Sequence, residues 1–283
     1  MMRLSTADHS RDSAGLRYVY PVLSRRAGGI SVGINLNPNN ACNWRCIYCQ
    51  VPDLTRGAAP DIDNAQLRRE LTGLLDDIRD GRLLDQSATG DERPAIRDIA
   101  ISGNGEPTST DRFDEIIGIV GQAAADCGLL GRIKLVLITN GSLMRRPAVQ
   151  RGLTAWAKLG GETWFKLDTA TREGLTRING ARIAPATVAA NLTTAARLCP
   201  TFVQTCMFRL DGRNPSTAEL DAYVDFLADR LGAGVPLRGV LLYGLARPSM
   251  QADAARLSPL SEEDLQTLAE RIRALGLMVR VHP

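Results

Sequence analysis

Apolar residues along this 283-residue chain fall into two alternating textures. Short, nearly continuous apolar runs occur at SVGINL (31–36), IRDIAIS (96–102), IKLVLIT (133–139), TWFKLD (163–168), TFVQTCMF (201–208) and RGVLLYG (238–244). Runs of this length predict strands covered on both faces, as in a parallel sheet. LMVRV (277–281) predicts a seventh, peripheral strand. Between the runs the apolar positions switch to helical spacing. Leu67, Leu71, Leu74, Leu75 and Ile78 share one face behind a capping-box pair, Asp63 and Gln66. Thr110 is placed to cap a helix carrying Phe113, Ile116, Ile117 and Val120. Ser216 with Glu219 opens a helix with Leu220, Val224, Leu227 and Leu231, which Gly232 stops. Ser261 opens one with Leu265, Leu268, Ile272 and Leu275, ended by Gly276.

Six successive β-then-α units imply a parallel sheet with right-handed crossovers. An open doubly wound sheet and a full or partial barrel both accommodate this pattern. In either, ligands bind where loops leave the C-terminal ends of the strands. With no linker, repeat or low-complexity segment, residues 18–283 read as one domain behind a flexible polar tail, residues 1–17.

Composition narrows the function classes. The chain is 44% hydrophobic, enough for a sizeable core, and its net charge of +3 from 34 basic and 31 acidic residues is too mild for a nucleic-acid footprint. Basic pairs such as Arg25-Arg26 and Arg145-Arg146 read as solvated faces. No apolar run is long enough to span a bilayer and the N-terminus has no signal-peptide core, so the expected location is cytoplasmic, away from membranes. In that reducing compartment thiols stay free for metal or redox chemistry.

The stretch NACNWRCIYCQ (40–50) therefore matters. It holds Cys42, Cys46 and Cys49, three of six cysteines, just after the first strand and an NPNN turn. Three thiolates can hold three irons of a [4Fe–4S] cube and leave the fourth iron open to a small molecule. Zinc asks for a closed tetrahedral shell. The chain's two histidines, His9 and His282, lie at opposite ends, and no fourth cysteine is near. Cys127, Cys199 and Cys206 are scattered and read as structural, with Cys206 a further candidate to face a barrel lumen.

The C-x3-C-x2-C spacing, with Tyr48 just before the last cysteine, resembles the signature of the radical S-adenosylmethionine enzymes. The resemblance implies an α/β fold, a single-domain partial (β/α)6 TIM-like barrel of parallel strands. It also implies S-adenosylmethionine as cofactor, chelated to the open iron through its methionine amino and carboxylate groups, with Tyr48 among the cofactor-binding residues. SGNGEP (102–107) resembles the family's GGEP segment, which matches Gly103, Asn104, Gly105 and Glu106 to the methionine amino group. Glycines let the backbone approach a ligand, and Glu106, as a loop carboxylate, is expected to accept from an ammonium and contribute little to the core. TNGS (139–142) offers Thr139 and Asn140 to the cofactor, the plainer reading being an Asn-Gly turn. In KLD (166–168), strand alternation sends Lys166 and Asp168 to one side. If that side is the lumen, Asp168 suits the ribose hydroxyls, and Lys166 a carboxylate or a catalytic role that includes a Schiff base; a mutual salt bridge is the alternative. Gln204 and Tyr243 are weaker lumen candidates.

PVLSRRAGGISVGINLNPNNACNWRCIYCQ, ISGNGEPT, ITNGSL, KLDTATREGLTRING, FVQTCMF and VLLYGLARP together resemble the subgroup related to the wyosine-forming tRNA enzymes. Residues 1–41 contain no cysteine, so the second cluster expected of wyosine-forming enzymes lacks donors there. The implied activity is reductive cleavage of S-adenosylmethionine to a 5′-deoxyadenosyl radical that abstracts hydrogen from a substrate, fed by an electron donor such as flavodoxin or ferredoxin. A tRNA base, a small metabolite or peptide, and a partner glycyl-radical enzyme are the substrate classes. The competing class is a non-enzymatic iron–sulfur or zinc sensor or electron carrier, which would not require SGNGEP or Asp168.

Overall fold

The computed structural model describes residues 15–24, 28–82 and 95–282; the tail through residue 14, with His9, and the Arg25-Arg26 pair lie outside the described residues. In chain order the elements are β1 (Val19–Ser24), β2 (Gly29–Ile34), the two-residue β3 (Ala41–Cys42) and β4 (Thr55–Arg56), α1 (Asn64–Arg79), β5 (Ile96–Ile101) and α2 (Phe113–Asp126). Then come β6 (Lys134–Thr139), α3 (Pro147–Lys158), β7 (Glu162–Lys166), α4 (Arg172–Asn179), α5 (Pro185–Leu198), β8 (Thr201–Cys206) and β9 (Phe208–Leu210). The chain closes with α6 (Thr217–Gly232), β10 (Leu237–Tyr243), β11 (Leu257–Pro259), α7 (Glu262–Arg273) and β12 (Val279–His282).

The six predicted strands become β2, β5, β6, β7, β8 and β10, all parallel, and the predicted peripheral strand is β12, parallel to β10. The sheet order is β1-β2-β5-β6-β7-β8-β10-β12, so the parallel strands stand in chain order with no reversal. A doubly wound sheet reverses its order at a switch point. Monotonic order with one crossover hand instead puts every helix on the same face. The core shows this. Ile99, Ile101, Leu137, Phe165, Val203 and Leu242 pack under helical residues such as Leu71, Ile116, Leu153, Leu227 and Leu268. The opposite face carries Ala100, Val136, Trp164, Phe202 and Leu241, with no helical residue in the cluster. This second face is the lumen of a partial barrel. It is not closed, because β1 and β12 end the sheet without pairing with each other.

Pattern reading missed β1, which pairs antiparallel with β2. Its Pro21 cannot donate to a ladder, which marks an edge strand. Two helix starts also differ. Asp63 caps α1 by accepting from Gln66 N at 2.9 Å, but the Gln66 side chain turns to Glu70 at 2.7 Å, so the box is one-sided. Thr110 ends a 3-10 turn, Pro107–Ser109, and α2 starts after Arg112 with no side-chain cap. Ser216 and Glu219 form both halves of their box. Gly232 is the last helical residue of α6, and Gly234, at φ 68°, makes the turn. β9 and β11 pair over the mouth of the lumen, where Phe208 sits 5.6 Å from Tyr48, ring to ring. No helix among the described residues is long and apolar enough to cross a membrane.

Candidate active site

The loop after β2 is built by asparagines. Asn35 Oδ1 accepts from Asn37 N and Asn104 N, both at 3.0 Å, and Asn37 Nδ2 donates to Ala41 O at 2.8 Å. From there the cysteine segment is held from two sides. Arg45 N and Ile47 N donate to the Asn179 and Ile178 carbonyls at the end of α4, each at 2.9 Å. Opposite, Met250 N donates to Cys49 O at 2.9 Å, Ser249 Oγ to Ile47 O at 2.7 Å, and Gln251 Nε2 to Val51 O at 2.8 Å. The three thiols are free and partly exposed. Cys42 Sγ accepts from Trp44 N at 3.4 Å and Cys46 Sγ from Asn179 Nδ2 at 3.3 Å. Burial pushes the Cys42 thiol up to about 11 and the Cys46 thiol up to about 12.

The SGNGEP turn lies against this loop. A Cβ on Gly103 would come within 2.3 Å of Asn35 Oδ1, and one on Gly105 within 2.0 Å of Ala41 O. These glycines serve the close approach of two loops, not only that of a ligand. Glu106 departs from the expected loop carboxylate with little part in the core: it is 2% exposed. Its Oε1 accepts from Thr108 N, Thr108 Oγ1 and Thr139 Oγ1 at 3.1, 2.6 and 2.6 Å, and its Oε2 from Asn140 N at 2.7 Å. Burial raises its pKa despite these four donors. Glu106 thus ties the loop after β5 to the loop after β6, because an acceptor-only group with two oxygens can serve several orphaned donors. Gly141 takes φ 69°, as the Asn-Gly turn requires. Asn140 Nδ2 reaches Asn43 Oδ1 in the cysteine loop at 2.8 Å, and Asn104 Nδ2 reaches Asn40 Oδ1 at 2.6 Å.

On β7, Trp164 belongs to the lumen face and Phe165 to the helix-covered face. Alternation therefore turns Lys166 and Asp168 toward the lumen. Lys166 Nζ stands 4.9 Å from the centre of the Tyr48 ring, and the Tyr48 hydroxyl donates to Asp168 Oδ2 at 2.6 Å. Asp168, 4% exposed, also accepts from Asn179 Nδ2 at 2.7 Å and from Cys206 N at 2.9 Å. Ion pairs among the described residues do not include a Lys166–Asp168 bridge. Burial pulls the Lys166 ammonium down, but Asp168 and the cysteines around it outweigh that, leaving its pKa above the ordinary value. Gln204 is register partner to Lys166, and its buried Oε1 has no hydrogen-bond partner. Cys206, on the Phe202 side of β8, faces the same lumen, unlike Cys199, which is buried against Gly161 O. Tyr243 lies at the lumen edge, stacked 5.0 Å from His282, so the fold brings the C-terminal histidine to this face.

Every residue singled out from the motifs thus collects at one end of the sheet. Asn43, Asn179, Ser249 and Gln251 were missed: they carry no reactive group, and Ser249 lies 200 positions from Cys49, which it contacts. The only signal for Asn179 was its place within KLDTATREGLTRING.

The donor set fits an iron–sulfur cluster. A cube asks for one thiolate per corner iron from a wrapping loop, and N–H donors already face two of the sulfurs. Two buried acceptors without partners, Asn104 Oδ1 and Gln204 Oε1, stand on a surrounding loop and strand, as a polar cofactor would require.

Comparison with known proteins agrees. A profile described as the Radical SAM superfamily matches residues 36–227. The chain is 32% identical over 134 residues to the UPF0026 protein in two strains of Helicobacter pylori, covering 47% of this chain and 37% of those proteins. The matched stretch thus spans little more than a third of these curated relatives. Among solved structures, a radical SAM methyltransferase from Sphaerobacter thermophilus aligns with TM-score 0.58 at 14% identity, over 93% of this chain and 69% of that one. TYW1 with a lysine-pyruvate adduct bound aligns with TM-score 0.54 at 15% identity, over 86% and 73%, and an archaeal TYW1 with 0.53 at 14%, over 95% and 77%. At these identities the likeness is one of fold; the profile matched over most of the chain makes this protein a member of the radical SAM superfamily, which uses a [4Fe–4S] cluster and S-adenosylmethionine.

Proposed function

We propose that Cys42, Cys46 and Cys49 hold the cluster, that the lumen above Trp164 binds S-adenosylmethionine and substrate, and that hydrogen abstraction is the reaction. The observation that carries this reading is the contact between the cysteine loop and the lumen face, Tyr48 hydroxyl to Asp168 Oδ2 at 2.6 Å. Cys42, Cys46 and Cys49 would hold the cluster, and the cofactors, when bound, would supply one-electron cleavage of a C–S bond. The chain's own residues bind, orient and exclude water. Backbone groups of Gly103–Glu106, with Asn104 Oδ1 unpaired, are assigned to the methionine ammonium. Thr139 and Asn140 act through Glu106, as positioning residues. Asp168 keeps acceptor capacity beyond its three donors for a ribose hydroxyl. Gln204 Oε1 is an acceptor for a lumen donor.

Lys166 is assigned to an anion. Its Nζ stands over the Tyr48 ring whose hydroxyl binds Asp168, and the lysine-pyruvate adduct belongs to TYW1. A carboxylate on the cofactor or substrate fits better. For the substrate we put forward a tRNA base. Its support is the resemblance to the wyosine-related subgroup. A one-electron donor such as flavodoxin or ferredoxin completes the reaction.

Anaerobic reconstitution tests the chemistry. Wild-type protein should take up about four irons and four sulfides per chain and form 5′-deoxyadenosine when reduced. Cys42→Ala, Cys46→Ala and Cys49→Ala should each lose the cluster, and Cys127→Ala should keep it; full clusters in all three cysteine-loop variants would sink the assignment. Comparison of tRNA nucleosides and metabolites between a deletion strain and its parent tests the substrate. A nucleoside modification lost with the gene supports the tRNA base, and an altered metabolite with unchanged nucleosides overturns it.

A further inference from the structure

Asn179 is the last residue of α4 and is completely buried. Its side-chain nitrogen stands 3.3 Å from Cys46 Sγ and 2.7 Å from Asp168 Oδ2. A thiolate and a carboxylate only accept, so the NH2 end of the amide must face them, and its two protons divide one to each. The amide oxygen is left with no partner. A leucine of similar volume would avoid that buried, unpaired acceptor, so packing does not explain an asparagine here. The backbone of the same residue accepts from Arg45 N at 2.9 Å, which fixes the cysteine loop to α4 one residue before Cys46. Gly180, in the left-handed region at φ 56°, follows, and a Cβ there would approach Arg45 O to 2.9 Å.

We propose that Asn179 is a positioning residue that raises the reduction potential of the cluster by donating to the Cys46 sulfur, and that holds this sulfur in register with Asp168. The proposal rests on Cys46 being a cluster ligand. Added negative charge on a reduced cluster is shared by its sulfurs, and N–H donors to those sulfurs favour the reduced state. Because the second proton of the same NH2 group goes to Asp168, one side chain links the redox site to the lumen carboxylate.

The test is an anaerobic redox titration of reconstituted wild-type protein, Asn179→Leu and Asn179→Ala, with iron content measured on each. Both variants should keep their iron and become harder to reduce. At a fixed poise the reduced-to-oxidised ratio should fall about tenfold, equivalent to about 59 mV for one electron. Variants with full iron content and the wild-type midpoint overturn the proposal. A full cluster in Cys46→Ala instead removes the ligand assignment beneath it, so the two failures are distinct. A measurement on wild-type protein alone covers the case in which the variants do not assemble. With 15N in the asparagine side-chain amides, pulsed EPR of the reduced cluster should show a weak 15N coupling, absent from any Asn179 variant that assembles. No such coupling in wild type overturns the proposal.

Discussion

Glu106 holds four donors on two oxygens while almost wholly buried, and its replacement tests how far the cofactor loops depend on it. Glu106→Gln keeps one carbonyl oxygen but turns an NH2 group toward a backbone or hydroxyl donor. A buried donor left without its acceptor costs about 1–3 kcal/mol, so the variant should unfold earlier in denaturant at pH 7. The pH dependence has a definite sign. Burial raises the folded pKa of Glu106 above its ordinary 4.5, so the folded chain binds this proton more tightly than the unfolded chain. Its contribution is complete below the unfolded value and is lost as pH rises through the folded one. Denaturation curves of the apoprotein from acid to neutral pH should show that slope in wild type and a smaller one in Glu106→Gln; equal slopes would mean that Glu106 ionises freely.

At the scale of elements, the segment after β10 closes over the cysteine loop from the far side of the sheet. Ser249 is buried; its hydroxyl donates to Ile47 O and accepts from Gln251 N at 3.0 Å. Gln251 Nε2 continues to Val51 O. Ser249→Ala leaves a carbonyl and an N–H short of partners, again about 1–3 kcal/mol, spent locally because the strap is a loop and not a core element. The variant should assemble its cluster normally and lose iron to an external chelator several-fold faster than wild type. Unchanged release rates would show that α4 alone holds the loop. The strap escaped pattern reading for a plain reason: LARPSMQ has neither strand nor helix periodicity, and its contacts are to a segment some 200 residues earlier.

Across the whole molecule, six parallel strands in chain order carry their helices on one face and leave the other for ligands. The site residues hang from the ends of several strands, so a cofactor that touches their loops adds to the hydrogen bonds that already join those loops. Ligand binding to the folded state alone then stabilises the entire unit, by about 2.7 kcal/mol at a hundred times Kd. For a molecule of this size that is several degrees in Tm, at about 2–4 °C per kcal/mol. S-adenosylmethionine should raise the Tm of reconstituted wild-type protein by that amount and should shift Cys46→Ala, which lacks the chelating iron, far less. Equal shifts in both proteins would separate cofactor binding from the cluster.

Sequence alone determined the number and direction of the central strands, because six apolar runs separated by helical spacing have few right-handed arrangements. It also made the cysteine triplet legible as the proposed donor set, since C-x3-C-x2-C is a local pattern that no distant contact can alter. Lys166 and Asp168 were legible as a pair for the same reason: alternation along a strand is local. Which face they point to was not, because the two faces of β7 differ only in what other elements bring to them: helices to Phe165, open lumen to Trp164. The unread β1 and the one-sided cap have separate reasons: β1 is an edge strand completed only by pairing with β2, and the Gln66 amide goes to Glu70, one helical turn on, instead of back to the cap. Tertiary structure decided the contacts of Glu106, Asn179 and Ser249, which include hydrogen bonds to residues 33 to 202 positions away, and hydrogen bonds of that reach are made by the folded chain, not by local sequence.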